Sequence, residues 1–85
     1  MKIDITNISK ILGKLKTKNP STFKALQKKI IQIAKMNEVE IFHLKNLKGP
    51  MSHLKRVHVG SFVLTFSIEG NKVVFKDFTH HDQAY

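Results

Sequence analysis

The chain has no cysteine among its 85 residues. This excludes disulfide staples and thiolate metal sites, and it suits a reducing compartment. No stretch is apolar for long enough to span a bilayer, and the opening Met1-Lys2-Ile3-Asp4-Ile5-Thr6 lacks the apolar core of a signal peptide. A soluble, cytoplasmic domain with no membrane partner is therefore expected. Glycine is scarce as well: of four, none falls in a GxxxxGK pattern, so no phosphate-cradling loop is present, and there is no GxSxG elbow for serine hydrolase chemistry. Acidic side chains are few. Six Asp and Glu stand against fifteen Lys and Arg, and the net charge of +9 attracts a polyanion at long range. Nucleic acid is the leading partner class. Arg56 is the single arginine, and its planar guanidinium holds a phosphate by two prongs where an ammonium cannot.

What is present fits one domain, residues 1–85, of the α+β class. A domain of this size buries only about 60% of its unfolded surface. Residues 2 to 6 alternate through Ile3 and Ile5 as a short first strand, with Thr6 or Asn7 able to cap a helix after it. Ile8, Ile11, Leu12 and Leu15 share one helical face, and Phe23, Leu26, Ile30, Ile33 and Ala34 share another that ends near Asn37. Between them Asn19 serves as a cap and Pro20 as a first helical residue, where its missing N–H costs nothing. Two antiparallel helices are predicted. Residues 38 to 53 have no clean period and contain Gly49-Pro50, so they read as mostly loop. From Leu54 onward three strands form an antiparallel meander, completing a four-stranded curved sheet with the first strand.

Gly60-Ser61 and Gly70-Asn71 separate these strands, and a glycine in the first central position favours the type II′ hairpin turn. The second turn sets Ile68 opposite Val73, Phe66 opposite Phe75 and Thr65 opposite Lys76. The first sets Val59 opposite Phe62, His58 opposite Val63, Val57 opposite Leu64 and Arg56 opposite Thr65. Because successive residues alternate faces, Val57, Val59, Phe62, Leu64, Phe66, Ile68, Val73 and Phe75 form an apolar face for the helices to cover. The other face holds Arg56, His58, Val63, Thr65, Ser67, Val74, Lys76, Phe78 and His80. Thr65 and Ser67 suit a solvated sheet surface. A lone Arg, a His two residues away and a closing His80-His81-Asp82-Gln83-Ala84-Tyr85 suit a site.

Metal chemistry ranks low, and no cofactor is expected. The histidines at 43, 53, 58, 80 and 81 show neither HxxxH nor HExxH spacing, and adjacent His80 and His81 on an extended tail point oppositely. Metal-free RNA cleavage fits better. In it the ribose 2′-hydroxyl attacks its own phosphate, which requires a base, an acid and a cation for the charge that develops. Imidazole is half-protonated near pH 6.5 and serves as either base or acid. An aromatic ring such as Tyr85 stacks on a nucleobase.

These residues resemble the RelE/ParE superfamily of bacterial and archaeal toxins, in particular the His-using RelE and YafQ messenger-RNA interferases. The likeness rests on Leu47-Lys48-Gly49, Leu54-Lys55-Arg56-Val57-His58-Val59, Phe62-Val63-Leu64-Thr65-Phe66 and the closing His80 to Tyr85; residues 1 to 46 agree in layout alone. The resemblance implies an open sheet face that binds messenger RNA on the ribosome, and a cognate antitoxin protein as partner. It implies catalytic roles for Arg56, His58, His81 and Tyr85, with the order of acid and base unassigned, and RNA or ribosome contacts by Lys45, Lys48, His53, Lys76 and His80. The expected activity is metal-independent, ribosome-dependent endoribonuclease cleavage. Two positions depart from the family pattern: Val63 stands where many members carry Arg, and Ser61 where YafQ-like members are acidic. Phosphate stabilisation then falls to Arg56 and Lys76. Two other readings stay open, a ParE-like inhibitor of DNA gyrase and a plain RNA- or ribosome-binding module.

Overall fold

A computed structural model describes residues 1 to 44, 46 and 53 to 83. Lys45, Lys48, the Gly49-Pro50 pair and the terminal Ala84 and Tyr85 lie outside the described residues. The elements run β1 (Lys2–Asp4), a 3-10 turn (Thr6–Ile8), α1 (Ser9–Lys18), α2 (Pro20–Ala34), α3 (Glu38–Phe42), β2 (Lys55–Val59), β3 (Phe62–Glu69) and β4 (Lys72–His80). A second 3-10 turn, His81–Gln83, follows β4. No described helix is long and apolar enough to cross a membrane.

The helical half follows its local chemistry. At the one-residue joint between α1 and α2, the Asn19 side chain accepts a hydrogen bond from the Thr22 N–H at 3.3 Å, and Pro20 begins α2. The expected cap on α1 does not form. Thr6 instead gives its N–H to the Asp4 carboxylate at 2.9 Å, and Asn7 donates from Nδ2 to the Phe75 carbonyl. The Thr6 hydroxyl and backbone N–H together hold the Asp4 carboxyl below the usual carboxylate range. Residues 38 to 42, expected as loop, form the short α3. The reason is a reciprocal cap: Asn37 accepts from the Glu40 N–H at 2.9 Å while the Glu40 carboxylate accepts from the Asn37 N–H at 3.1 Å. The Asn-x-x-Glu spacing carried that signal.

The strands form one sheet in the order β1-β4-β3-β2. β2 and β3 pair antiparallel, as do β3 and β4, while β1 lies parallel to β4, so the sheet is mixed. Parallel pairing needs a long crossover, and the helices between β1 and β2 provide it. Both hairpins have two-residue loops. Gly60 and Gly70 have φ of +59° and +63°, and neither Ser61 nor Asn71 is positive, which makes both turns type II′.

Ile8, Leu26, Ile30, Ile33 and Ile41 pack on one sheet face with Val59, Leu64, Phe66, Val73, Phe75 and Phe78. Each large side chain fully buried in this way contributes about 1.5 to 3 kcal/mol. The β2–β3 register is the expected one. In β3–β4 the expected pairs Ile68 with Val73 and Phe66 with Phe75 form, but Thr65 lies opposite Asp77 because the register shifts between Thr65 and Phe66. Lys76 is therefore the extra residue of a β-bulge. Beyond it every residue of β4 exchanges faces. Phe78, expected on the open face, packs in the core and stacks on Phe62 with ring centroids 5.0 Å apart. His80 turns with it, opposite Phe62.

Candidate functional site

Alternation along β2 sets Arg56 and His58 on the face away from the helices, opposite Thr65 and Val63. Because of the bulge, the β4 residues that complete these cross-strand rows are Asp77 and Thr79. One row is thus Arg56, Thr65, Asp77 and the next is His58, Val63, Thr79. His58 is exposed and Arg56 half-buried. Thr65 and Ser67, expected as solvated surface, are only 2% and 5% exposed. Cross-strand neighbours lie about 5 Å apart, so the short Thr65 side chain is recessed between Arg56 and Asp77. Val63, also buried, occupies the centre of the next row with no charge to offer.

Lys76 remains exposed beside this face, where its ammonium sits 3.2 Å from a Glu69 carboxylate oxygen. The same oxygen accepts from the Ser67 hydroxyl at 2.8 Å. The Ser67 hydroxyl first, and then Lys76, hold the Glu69 carboxyl below the usual carboxylate range. His53 is exposed in the turn before β2, apart from these rows in sequence.

The tail departs from the expected extended form. After His80 the chain enters the 3-10 turn, which brings the His80 and His81 rings together at 4.6 Å instead of on opposite sides. His80 touches the edge of Phe62 at 5.5 Å and lines a hollow with Asn19, Ser21 and Thr22 on the helix side. It is separated from the Arg56 and His58 face. The His81 backbone N–H donates to the Ser61 carbonyl at 2.9 Å, and its Nδ1 lies 3.0 Å from the same oxygen. A carbonyl only accepts, so Nδ1 carries a proton. Nε2 faces the Asp82 carboxylate at 2.9 Å. Protonated, the ring satisfies both contacts as a double donor.

Around His80, Nδ1 is 3.3 Å from the Asp82 backbone N–H and 3.5 Å from the Asp82 carboxylate. The N–H requires a lone pair, so this nitrogen is an acceptor and the carboxylate contact is an approach without a bond. Among the described residues, His80, His81 and Asp82 form a cluster whose possible ligand atoms all lie within 4.8 Å of one another.

Three further contributors were not legible as site residues. The Ser61 carbonyl that anchors His81 is a backbone group, which residue type does not signal. Asp77 joins the Arg56 row only through the bulge. Lys55 is 8% exposed, and its ammonium donates to the Leu44 carbonyl at 3.3 Å and to Asn46 at 2.8 Å, near the Phe42 ring. It ties the end of the helical half to β2, and its pairing with Phe66 put it on the covered face.

No protein-family model and no solved structure matches the chain. Two curated proteins are similar to it. One, named "Putative toxin RelE4", from Methanocaldococcus jannaschii, is 40% identical over 82 residues, spanning 93% of this chain and 83% of its own. The other, an "Uncharacterized protein" from Methanosarcina mazei, is 43% identical over 82 residues, spanning 85% of this chain and 95% of its own. With the α+β order and the likeness of the second half to RelE, identity at this level over nearly the whole length establishes that the chain belongs to the RelE toxin family.

Proposed function

We propose that the protein is the toxin of a toxin-antitoxin pair and cleaves messenger RNA on the ribosome in the cytoplasm without a metal ion. The observation that carries this reading is the grouping of Arg56 and His58 on the sheet face away from the helices, with His81 anchored to the turn that joins their strand to the next. Toxin identity is supported by the relative whose name carries that role, and a RelE-type toxin needs a cognate antitoxin protein to hold it in check.

In the reaction, a base removes the proton of the ribose 2′-hydroxyl and that oxygen attacks the adjacent phosphorus. The bond from phosphorus to the 5′ oxygen breaks, the departing oxygen takes a proton from the acid, and a 2′,3′-cyclic phosphate remains. His81, with both ring nitrogens facing acceptors, suits the proton donor, and exposed His58 suits the base. Arg56 stabilises the charge on phosphorus. Tyr85 stacks on a base, while Lys45, Lys48, His53, Lys76 and His80 contribute salt-dependent contacts to RNA or ribosome. Val63 leaves Arg56 as the principal cation on this face.

The test is induction of the chain without an antitoxin, followed by mapping of cellular RNA 5′ ends, for the parent and for variants at His81 and Tyr85. New 5′ ends within translated messages, lost in His81→Ala, are the expected result. Cleavage by His81→Ala equal to the parent refutes the tail mechanism. Intact messages with blocked DNA supercoiling identify a gyrase inhibitor instead, and RNA or ribosome binding without cleavage products identifies a plain binding module.

A further inference from the structure

From the cluster at the end of β4 we infer a second property, a binding site for a divalent transition-metal ion of the zinc class formed by His80, His81 and Asp82. Two imidazoles and a carboxylate are a donor set that zinc accepts with three protein ligands and a fourth position open to water. The separations agree with this. Zinc bonds of about 2.0 to 2.1 Å place tetrahedral ligand atoms roughly 3.4 Å apart; here Nε2 of His81 lies 2.9 Å from Oδ1 of Asp82, Nδ1 of His80 lies 3.5 Å from its Oδ2, and one donor atom from each residue falls within 4.8 Å of the others, so a small side-chain rotation closes the set on one ion.

Proton placement agrees as well. A ligating histidine ordinarily gives its other N–H to a carbonyl or carboxylate, which fixes the ring and leaves the lone pair on the ligating nitrogen. His81 has this arrangement: Nδ1 is committed to the Ser61 carbonyl, leaving Nε2 to ligate. Nδ1 of His80 already presents its lone pair toward Asp82, and the metal takes the place of that backbone contact. His80 side-chain exposure is 41%, that of His81 54% and that of Asp82 73%, so the ion enters from solvent without opening the fold. The 3-10 turn creates the site, since a continued strand would send the two rings to opposite sides.

A metal on Nε2 of His81 competes with the proton that this nitrogen would donate. On the ribonuclease reading, zinc at this site is therefore an inhibitor, with Asp82 holding it against the acid. Metal binding itself is independent of that reading and is measured without RNA.

The experiment is calorimetric titration of the chelator-treated full chain with Zn²⁺, together with the visible spectrum of its Co²⁺ complex. The parent is expected to take one ion per chain and to give the intense visible bands of tetrahedral Co²⁺. Loss of even a partner behind a metal ligand ordinarily weakens binding about 10- to 100-fold, so His80→Ala and Asp82→Ala should each weaken Zn²⁺ by at least about tenfold and abolish the bands. His43→Ala, outside the cluster, should bind like the parent. Both side chains are solvent-accessible, and circular dichroism establishes that the variants are folded. Absence of saturable binding by the parent, or equal affinity in the parent and both cluster variants, overturns the site. Zinc binding without any RNA cleavage would leave the site standing and remove the ribonuclease reading.

Discussion

His81 is tied to Ser61 twice, through its backbone N–H at 2.9 Å and through Nδ1 at 3.0 Å, both on the one carbonyl oxygen. The β2–β3 turn thereby fixes the position of a ring that follows the end of β4. The geometry of that turn and the placement of the His81 ring are coupled.

Gly60→Ala tests this coupling. The added methyl group meets no atom within 4 Å, but the residue holds φ at +59°, which an L side chain resists. The backbone penalty should lower stability by about 1 to 3 kcal/mol. Denaturant unfolding measures it, and RNA cleavage at a temperature where the variant is fully folded should also fall as the Ser61 carbonyl moves.

On the proposed mechanism Arg56 acts on the phosphate and does not hold the fold. Arg56→Ala should lower the cleavage rate about 10²- to 10³-fold, the usual cost of removing one charge-stabilising donor, with little change in unfolding midpoint. Arg56→Lys should recover only part of the rate, because an ammonium cannot hold two phosphate oxygens in one plane. Single-turnover cleavage on programmed ribosomes separates this effect from binding.

Phe78→Ala reads the bulge directly. The ring is 4% exposed and stacks on Phe62, so truncation should cost about 3 to 5 kcal/mol. On a regular ladder the ring would lie on the opposite face, away from Phe62 and the helix-covered core, and the loss should be smaller. Chemical denaturation distinguishes the two.

Glu69 gives a pH prediction. Its carboxyl lies below the ordinary value because the Ser67 hydroxyl and Lys76 favour the charged form. A folded-state value depressed relative to the unfolded chain contributes stability above the unfolded value, and that contribution disappears as the pH falls through the folded one. Carboxyl NMR should find Glu69 titrating below an unperturbed Glu, and Ser67→Ala should move it back toward normal. An unmoved titration in that variant removes the hydroxyl as the main cause.

Much of this architecture was legible in residue order. The Ile and Leu spacing of the helices, the Asn19-Pro20 joint and the two Gly-led turns are local signals, each acting within a few residues, and all formed as expected. The placement of Arg56 and His58 on one face followed from the same turn chemistry. The short α3 was also locally encoded, through Asn37 and Glu40, although the irregular apolar residues after it masked the signal.

Tertiary packing decided the rest. Nothing in Thr65 to Phe78 states that Lys76 will be left over. Strict alternation puts Phe78 and Lys76 on one face, whereas the core gains more by burying Phe78 against Phe62 and displacing one lysine into a bulge. That single shift carried His80 away from Arg56 and His58 and brought Asp77 and Thr79 toward them. The 3-10 turn then gathered His80, His81 and Asp82, with His81 held by a carbonyl of the β2–β3 turn. The sequence by itself determined the elements, the basic charge and the residue types available for chemistry, because these depend on neighbours along the chain. Which of those residues share a face was decided only when non-local side chains competed for one core.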